Sequence, residues 1–153
     1  METTTYMISH SLGAMPRKVY DRLHEFADKW ATRGIRAWAE GWWQMPVTTG
    51  NHIASLIGAQ PGEVVMHQNV SVAVSLVLSA LNFHSQKNRI LYLDVEFPTV
   101  IYVLEAQKRH GAEVVCIPSR DGLEVPIDAL IDAIDERTLI VPLSYVFFKT
   151  STR

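Results

Sequence analysis

Residues 68–71 (Gln-Asn-Val-Ser) have the residue types of a phosphate-binding turn. They stand between a strand-like segment and an apolar, helix-like one. Backbone N–H groups at the start of a helix are free and carry a partial positive charge, so they bind anions, and the Ser71 hydroxyl adds a further polar group. The same residues also suit plain capping of the helix by Asn69 or Ser71, and from this turn alone capping is the simpler interpretation.

Two further turns stand where strand-like segments end. In residues 96–99 the Phe97 ring can stack on a flat ligand, although an aromatic core residue followed by Pro98 at a helix start explains the same pattern. Ser144 follows the last strand-like segment and can reach a ligand from there. Because ligands of open α/β sheets bind at the carboxyl ends of the strands, these three turns are where a ligand is expected.

Other chemistries have no matching pattern in the sequence. The nucleotide motifs G-x-G-x-x-G and G-x-x-x-x-G-K-[ST] and the G-x-S-x-G turn of serine hydrolases are missing. The six histidines show no metal-ligand spacing, so no metal site is expected. Cys116 is the only cysteine, which excludes an internal disulfide, and its apolar neighbours predict a buried small side chain, not a catalytic thiol.

The composition is that of a globular protein without a nucleic-acid or membrane signature. Of 153 residues, 48% are hydrophobic and 20% are charged, which is enough for one compact domain with a core. The net charge of -2 lacks the basic excess of nucleic-acid-binding proteins. The N-terminus has no signal-peptide pattern, and the longest apolar stretch, residues 70–81, is shorter than the ~20 residues of a membrane span. A soluble, cytoplasmic protein is therefore expected.

The N-terminal part, residues 1–62, is predicted to hold an arm, helices and a tryptophan-rich loop. Apolar residues recur at helical spacing from Val19 to Trp30. The predicted elements are a helix that starts near Pro16 and ends at Gly34, a loop over residues 35–46, and a helix through residues 53–57 that ends near Gly58.

From residue 63 onward, strand and helix patterns alternate. The predicted strands are residues 63–67, 89–94, 113–117 and 139–143. The predicted helices are residues 71–81, 98–110 and 126–135. This alternation predicts an α/β fold with three layers, in which helices cover both faces of a mostly parallel sheet.

Several segments resemble one enzyme family in the same order and spacing. The matching segments are Ser11-Leu12-Gly13 with Pro16, Gly41-Trp42 with Pro46, residues 53–59, residues 62–65, Val70-Ser71, Phe97-Pro98-Thr99 and Ser144. They are similar to the N-terminal portion of kynureninases and class V aminotransferases. In that family Val70-Ser71 falls on the pair that holds the cofactor phosphate, and Phe97-Pro98-Thr99 falls on the F-P-[ST]-D motif.

The resemblance implies a fold, a cofactor and a reaction. It implies a fold-type-I homodimer with a large domain, of which residues 63–153 are the first part. It implies pyridoxal 5'-phosphate held as a Schiff base, and cleavage of kynurenine-type amino acids to an anthranilate and alanine. The implied cofactor contacts are Val70, Ser71, Phe97, Pro98, Thr99, Val100 and Ser144. The implied substrate contacts are Ser11 and Trp42, the latter across the dimer interface.

Some positions depart from the family pattern. Val100 stands where the motif ends in Asp, Ala73 where an Asn follows the phosphate pair, and His10 where the opening has Asn. The family's Schiff-base lysine and the acid beside its pyridine nitrogen lie on later strands, so no catalytic residue is expected in this chain. Residues 147–153 have no helix cap or strand closure, which predicts the N-terminal portion of a longer enzyme.

Two other functions stay open. The departures beside the cofactor leave a class V aminotransferase or a cysteine desulfurase-like enzyme that acts on another amino acid. A non-catalytic remnant that serves as a binding or dimerisation module is the alternative of another class. A Rossmann-like domain that binds another phosphorylated ligand explains the strand–helix alternation, but it does not explain the Ser11-Leu12-Gly13 opening or the Trp42 segment.

Overall fold

The computed structural model describes residues 4–7, 9 and 11–153. The chain divides into two compact units, Met1–His67 and Gln68–Arg153. The departure at His10 lies outside the described residues. No helix in the described part of the chain is both long enough and apolar enough to cross a membrane.

The first unit is helical. Helix α1, Val19–Arg33, ends at Gly34, whose φ of 50° lies in the left-handed half of the map that favours glycine. Helix α2, Met45–Ile57, ends at Gly58 in the left-handed conformation. Both predicted helices are confirmed, and α2 begins several residues earlier than the apolar positions that predicted it.

The prediction of a loop over residues 35–46 is wrong at its end, because Met45 and Pro46 already belong to α2. The turn at Trp38–Trp42 is kinked, since Glu40 (φ -89°, ψ 21°) and Gly41 (φ 124°, ψ -13°) lie outside helical geometry. The Trp42 ring stacks on Phe26 of α1 with ring centroids 4.5 Å apart, and Trp38 meets Trp42 edge-on at 5.6 Å. Aromatic packing therefore stabilises this kinked turn against α1.

The strand predicted over residues 63–67 does not form. Val64 instead packs against α2 at Gly50, where an added Cβ would lie 2.0 Å from the Val64 carbonyl oxygen. Met66 donates its backbone N–H to Pro46 O at 3.1 Å. This segment takes its backbone contacts from α2, and no strand of the described residues pairs with it.

The second unit is an α/β structure. Within the described residues its sheet has the strands β1 (Arg89–Leu93), β2 (Glu113–Ile117) and β3 (Thr138–Ile140), all parallel and in the order β2-β1-β3. Its helices are α3 (Val70–Ser79), α4 (Pro98–Glu105) with a 3-10 turn at Ala106–His110, and α5 (Ile127–Ala133). The predicted α/β fold with a parallel sheet is confirmed, as part of a fold-type-I domain.

Helices cover both faces of the central strand, as the sequence predicts. On one face, Ile90 and Tyr92 of β1 pack in a buried cluster with residues of α3 and α4. On the other face, Leu91 and Leu93 pack with Leu130 of α5 and with residues that follow β3. This two-sided burial explains why β1 reads as a continuous apolar run and not as an alternating one.

The expectation that Cys116 is buried is wrong, because its side chain is exposed. Cys116 lies on β2 opposite Tyr92 of β1, and β2 is an edge strand of the described sheet. An apolar run marks a strand but does not tell a central strand from an edge. Strand β3 is also shorter than predicted, since Pro142 has no N–H to donate to a sheet ladder.

Candidate functional site

The turn at residues 96–99 joins β1 to α4 and is the centre of the candidate site. Phe97 is extended (φ -64°, ψ 129°) and precedes Pro98 at the first position of α4. A residue before proline is disfavoured in helical conformations, and proline suits a first helical turn, so this sequence fixes the turn locally. The Phe97 ring is 43% exposed, which leaves an aromatic surface at the carboxyl end of β1.

The start of α3 lies beside this turn. Asn69 Oδ1 accepts the Val72 N–H at 3.0 Å, and Asn69 O accepts the Ala73 N–H at 3.2 Å, so Asn69 is the helix cap. The N–H groups of Val70 and Ser71 lie in the first turn of α3, where no carbonyl of the helix is placed to accept them. Capping by Asn69 therefore leaves the two residues predicted to hold a phosphate with donors to offer.

A hydroxyl pair links α3 to the turn. Ser71 Oγ donates to Thr99 Oγ1 at 2.9 Å across 28 residues of sequence. The structure thus brings together two residues that the sequence predicted as cofactor contacts. The Thr99 hydroxyl keeps its own proton for another acceptor.

Ser144 reaches the same turn through Glu96. Its backbone N–H donates to Glu96 Oε1 at 2.7 Å, and its hydroxyl donates to Glu96 Oε2 at 2.6 Å. Glu96 is 3% exposed, so this carboxylate is held almost entirely by protein contacts. The end of β2 is tied in similarly, because the Ser119 N–H and hydroxyl donate to the two oxygens of Asp94 at 2.9 and 3.1 Å.

The C-terminal residues extend the aromatic part of the site. Phe148 meets Phe97 edge-on with ring centroids 5.2 Å apart, and Lys149 Nζ lies 5.8 Å from the Phe148 ring centroid. Lys108, by contrast, lies on the 3-10 turn after α4 and pairs with Glu105. Lys149, unlike Lys108, therefore lies at the same edge of the sheet as Phe97.

Three remaining cofactor positions differ in what they offer. Val70 is half-exposed at the first position of α3, and Pro98 supplies the geometry of the turn. Val100 is 6% exposed in the core cluster, and its N–H donates to Phe97 O at 2.9 Å. A cofactor contact by Val100 stays a prediction, and its buried side chain does not favour it.

The two predicted substrate residues belong to the first unit. Trp42 lines an apolar cavity of about 500 Å³. The lining residues are Phe26, Trp30, Gly34, Ile35, Trp38, Trp42, Met45 and Pro46. Ser11 lies in an exposed turn. Their role in substrate binding stays a prediction.

Sequence reasoning missed two residues of the site, Glu96 and Phe148. Glu96 did carry a signal in the sequence. It is a charged residue between an apolar strand, which ends at Leu93, and the start of α4 at Pro98. Phe148 had no local signal, because its contact with Phe97 joins segments far apart in sequence. Among the residues that the structure describes, no cluster of three or more His, Cys, Asp or Glu side chains could hold a metal ion.

The arrangement suits a phosphorylated aromatic ligand. Backbone N–H groups at the start of α3 and the Thr99 hydroxyl, whose proton the Ser71 bond leaves free, can hold an anion. The Phe97 ring beside them offers a face for a flat ring. Donor groups and an aromatic surface thus converge on one edge of the sheet.

Comparison with known proteins agrees with this chemistry. Residues 5–147 match the family model described as aminotransferase class-V. Kynureninase from Pseudomonas fluorescens is 32% identical over 161 residues, covering 97% of this chain and 36% of that protein. Kynureninase from Geobacillus thermodenitrificans (strain NG80-2) is 29% identical over 154 residues, covering 95% of this chain and 36% of that protein. The chain spans about a third of the length of these relatives.

Proposed function

The chain belongs to the aminotransferase class-V family, and from that premise we propose that it is the N-terminal, cofactor-binding part of a pyridoxal-phosphate-dependent enzyme acting on kynurenine-type amino acids. Class V aminotransferases and kynureninases depend on pyridoxal phosphate. The observation that carries the proposal is the turn at residues 96–99, which contacts Ser71 through Thr99 and Ser144 through Glu96.

The donor set fits this cofactor. A phosphate group needs several hydrogen-bond donors and a positive potential, and the start of α3 with the Thr99 hydroxyl supplies both. A pyridine ring needs a flat apolar surface, and Phe97 presents one within the same turn as Thr99. Ser144 adds a polar atom at the end of the neighbouring strand.

In the proposed enzyme, the residues of this chain bind the cofactor and orient it. When bound, pyridoxal phosphate draws electrons from the carbon that bears the substrate's amino group. The free N–H groups of α3 and the Thr99 hydroxyl, which Ser71 orients, would fix the phosphate, and Phe97 would restrict the plane of the ring. Fixing both ends of a ligand sets which of its bonds faces the reacting groups, and such orientation is a large part of catalysis.

The proposed substrate class rests on the first unit and on the relatives. The cavity that Trp42 lines is almost wholly apolar and aromatic, which suits the aromatic ring of a kynurenine-type amino acid. The relatives named kynureninase match nearly the whole chain. A class V aminotransferase or cysteine desulfurase-like activity on another amino acid is the alternative.

Cofactor binding is tested by replacing Ser71. We expect the chain to bind pyridoxal 5'-phosphate in equilibrium dialysis, and Ser71→Ala to weaken this binding about tenfold, because the Thr99 hydroxyl loses the Ser71 hydrogen bond that directs its own proton to the phosphate. Ser79→Ala is the matched control, since Ser79 lies at the other end of α3 and donates to Leu76 O. Equal affinities of the two variants would contradict the proposed phosphate site.

Substrate class is tested with kynurenine, alanine and cysteine. All four tryptophans lie in residues 30–43, so a kynurenine molecule in the Trp42 cavity should quench their fluorescence by energy transfer. Trp42→Phe should weaken that quenching, whereas Tyr102→Phe, in the second unit, should not. Binding of cysteine or alanine in place of kynurenine would favour the desulfurase or aminotransferase alternative.

A further inference from the structure

We infer that Glu96 is a positioning residue that restricts Ser144 to accepting hydrogen bonds, so that the site selects ring ligands carrying a donor group. The inference deepens the proposed function and rests on it. It concerns Glu96, which is not among the family positions that this sequence matches.

The geometry leaves Ser144 little freedom. Glu96 uses both carboxylate oxygens on this one residue, at 2.7 Å from the backbone nitrogen and 2.6 Å from the hydroxyl oxygen. Glu96 is 3% exposed, so water does not compete for these two bonds. Two bonds from one rigid carboxylate fix both the backbone and the rotamer of Ser144.

The hydroxyl chemistry follows from this geometry. A serine hydroxyl has one proton and two acceptor lone pairs, and the Ser144 hydroxyl donates its proton to Glu96. The Ser144 proton therefore points at Glu96 Oε2, and toward a ligand Ser144 Oγ presents lone pairs alone. A ligand gains a hydrogen bond there only if it supplies an O–H or N–H.

The same turn offers opposite chemistry at its other end. Thr99 Oγ1 accepts from Ser71 and keeps its own proton, so it can donate to a phosphate oxygen. The turn at residues 96–99 thus carries a hydroxyl that can donate, Thr99, and holds a hydroxyl that can only accept, Ser144. Pyridoxal phosphate matches this pattern, because it carries phosphate acceptors, a ring hydroxyl and a ring nitrogen that can be protonated.

The test measures ligand discrimination by the full chain. The probes are pyridoxal 5'-phosphate, its 3-deoxy analogue and its analogue methylated on the ring nitrogen, each titrated by equilibrium dialysis. The wild-type chain should prefer pyridoxal 5'-phosphate over one of the two analogues by about tenfold, the value of one hydrogen bond. The analogue that loses affinity identifies the donor as the hydroxyl or the ring nitrogen.

Glu96→Gln should abolish this preference. The glutamine amide can donate to Ser144 Oγ, which frees the Ser144 proton to serve a ligand acceptor. Glu105→Gln is the matched control, since Glu105 is a hydrogen-bonded glutamate of the same unit that pairs with Tyr92 and Lys108. Glu105→Gln should keep the wild-type ratio of affinities.

Each outcome of these titrations either supports or overturns the inference about Glu96. An unchanged ratio in Glu96→Gln, or equal affinity of the wild-type chain for all three probes, overturns the inference but not cofactor binding. A wild-type chain that binds no pyridoxal 5'-phosphate overturns both. If Glu96→Gln lacks the wild-type circular dichroism spectrum, Ser144→Ala takes its place and should lose the preference, and a retained preference there overturns the inference.

Discussion

Hydroxyl protons decide what individual side chains of the site can offer. Asn69 caps α3, so Ser71 is free to donate to Thr99 and to leave the Thr99 proton available. Ser144 has its proton taken by Glu96. Residue types alone predict that these serines and threonines are polar contacts, but only the hydrogen-bond partners tell a donor from an acceptor.

Gly50 is a residue whose size is fixed by a backbone contact. A Cβ at Gly50 would lie 2.0 Å from Val64 O, which neither backbone can accommodate without moving. We expect Gly50→Ala to lower the free energy of unfolding by about 1–3 kcal/mol, despite the better helix propensity of alanine. Urea denaturation followed by circular dichroism measures this change.

Gly13→Ala is the control for the Gly50 variant. The nearest atom to an added Cβ at Gly13 is Ser9 O at 4.0 Å, and the φ of Gly13 is not in the positive range. Its effect on stability should be small. A Gly50→Ala protein as stable as the wild type would show that residues 63–67 do not rest on α2.

At the scale of elements, the start of α3 serves both stability and binding. Asn69→Ala removes the cap and should cost about 1 kcal/mol in urea denaturation. Asn69→Asp keeps a capping oxygen and should retain stability, but its negative charge should weaken the binding of pyridoxal 5'-phosphate. Unweakened binding by Asn69→Asp would place the phosphate elsewhere.

An ion-pair network joins the three strands at the opposite end of the sheet. Arg89 of β1 pairs with Glu113 of β2 at 3.0 Å and with Asp135 just before β3. Partial loss of water raises the pKa of Asp135, but hydrogen bonds from Thr138 and the Arg137 N–H, with the Arg89 charge, outweigh it and hold that pKa below its ordinary value.

The lowered pKa of Asp135 predicts a pH-dependent contribution to stability. A carboxyl with a lower pKa in the folded state stabilises the fold above its unfolded pKa, about 3.9, and loses that contribution as the pH falls through the folded pKa. The difference in free energy of unfolding between wild type and Asp135→Asn should therefore be constant from about pH 7 to 5 and shrink below about pH 4. A difference that does not vary with pH would mean that the network leaves Asp135 untouched.

Elements with a long, regular pattern could be predicted from the sequence, and elements set by distant contacts could not. The apolar period of α1 and the continuous apolar run of β1 locate both elements. The strand β1 is buried on both faces, whereas α1 has no buried residue, so its period identifies the helix without placing it in the core. The segment at residues 63–67 reads as a strand, but strand formation needs a partner, and its contacts come from α2. Trp38–Trp42 forms a kinked turn in which Trp42 stacks on Phe26, a contact that no local pattern encodes.

For the whole molecule, the sequence predicts where the candidate site lies better than it predicts the hydrogen bonds of that site. The sequence places Thr99 and Ser144 after strands, and parallel strands bring their carboxyl ends to one edge, so the contacts of both with the turn at residues 96–99 follow from the α/β pattern. The strand predicted before Ser71 does not form, so the bond between Ser71 and Thr99 does not follow from that argument. The bond between Ser144 and Glu96 joins residues 48 apart in sequence and depends on side-chain rotamers, which the pattern does not specify.

At the scale of the whole molecule, we propose that the chain self-associates through the apolar side chains of α1. Leu23 of α1 is 60% exposed and Trp30 is 65% exposed, and exposed apolar surface favours burial against another chain. The expected homodimer would give a sedimentation coefficient that rises with protein concentration. Leu23→Glu should shift this rise to higher concentration, because a buried unpaired charge is costly. His24→Glu adds the same charge one position along α1 and should leave the rise unchanged, since it lies off the apolar face. A wild-type chain that sediments as a monomer at every concentration would contradict the prediction and assign the exposed face of α1 to some other contact.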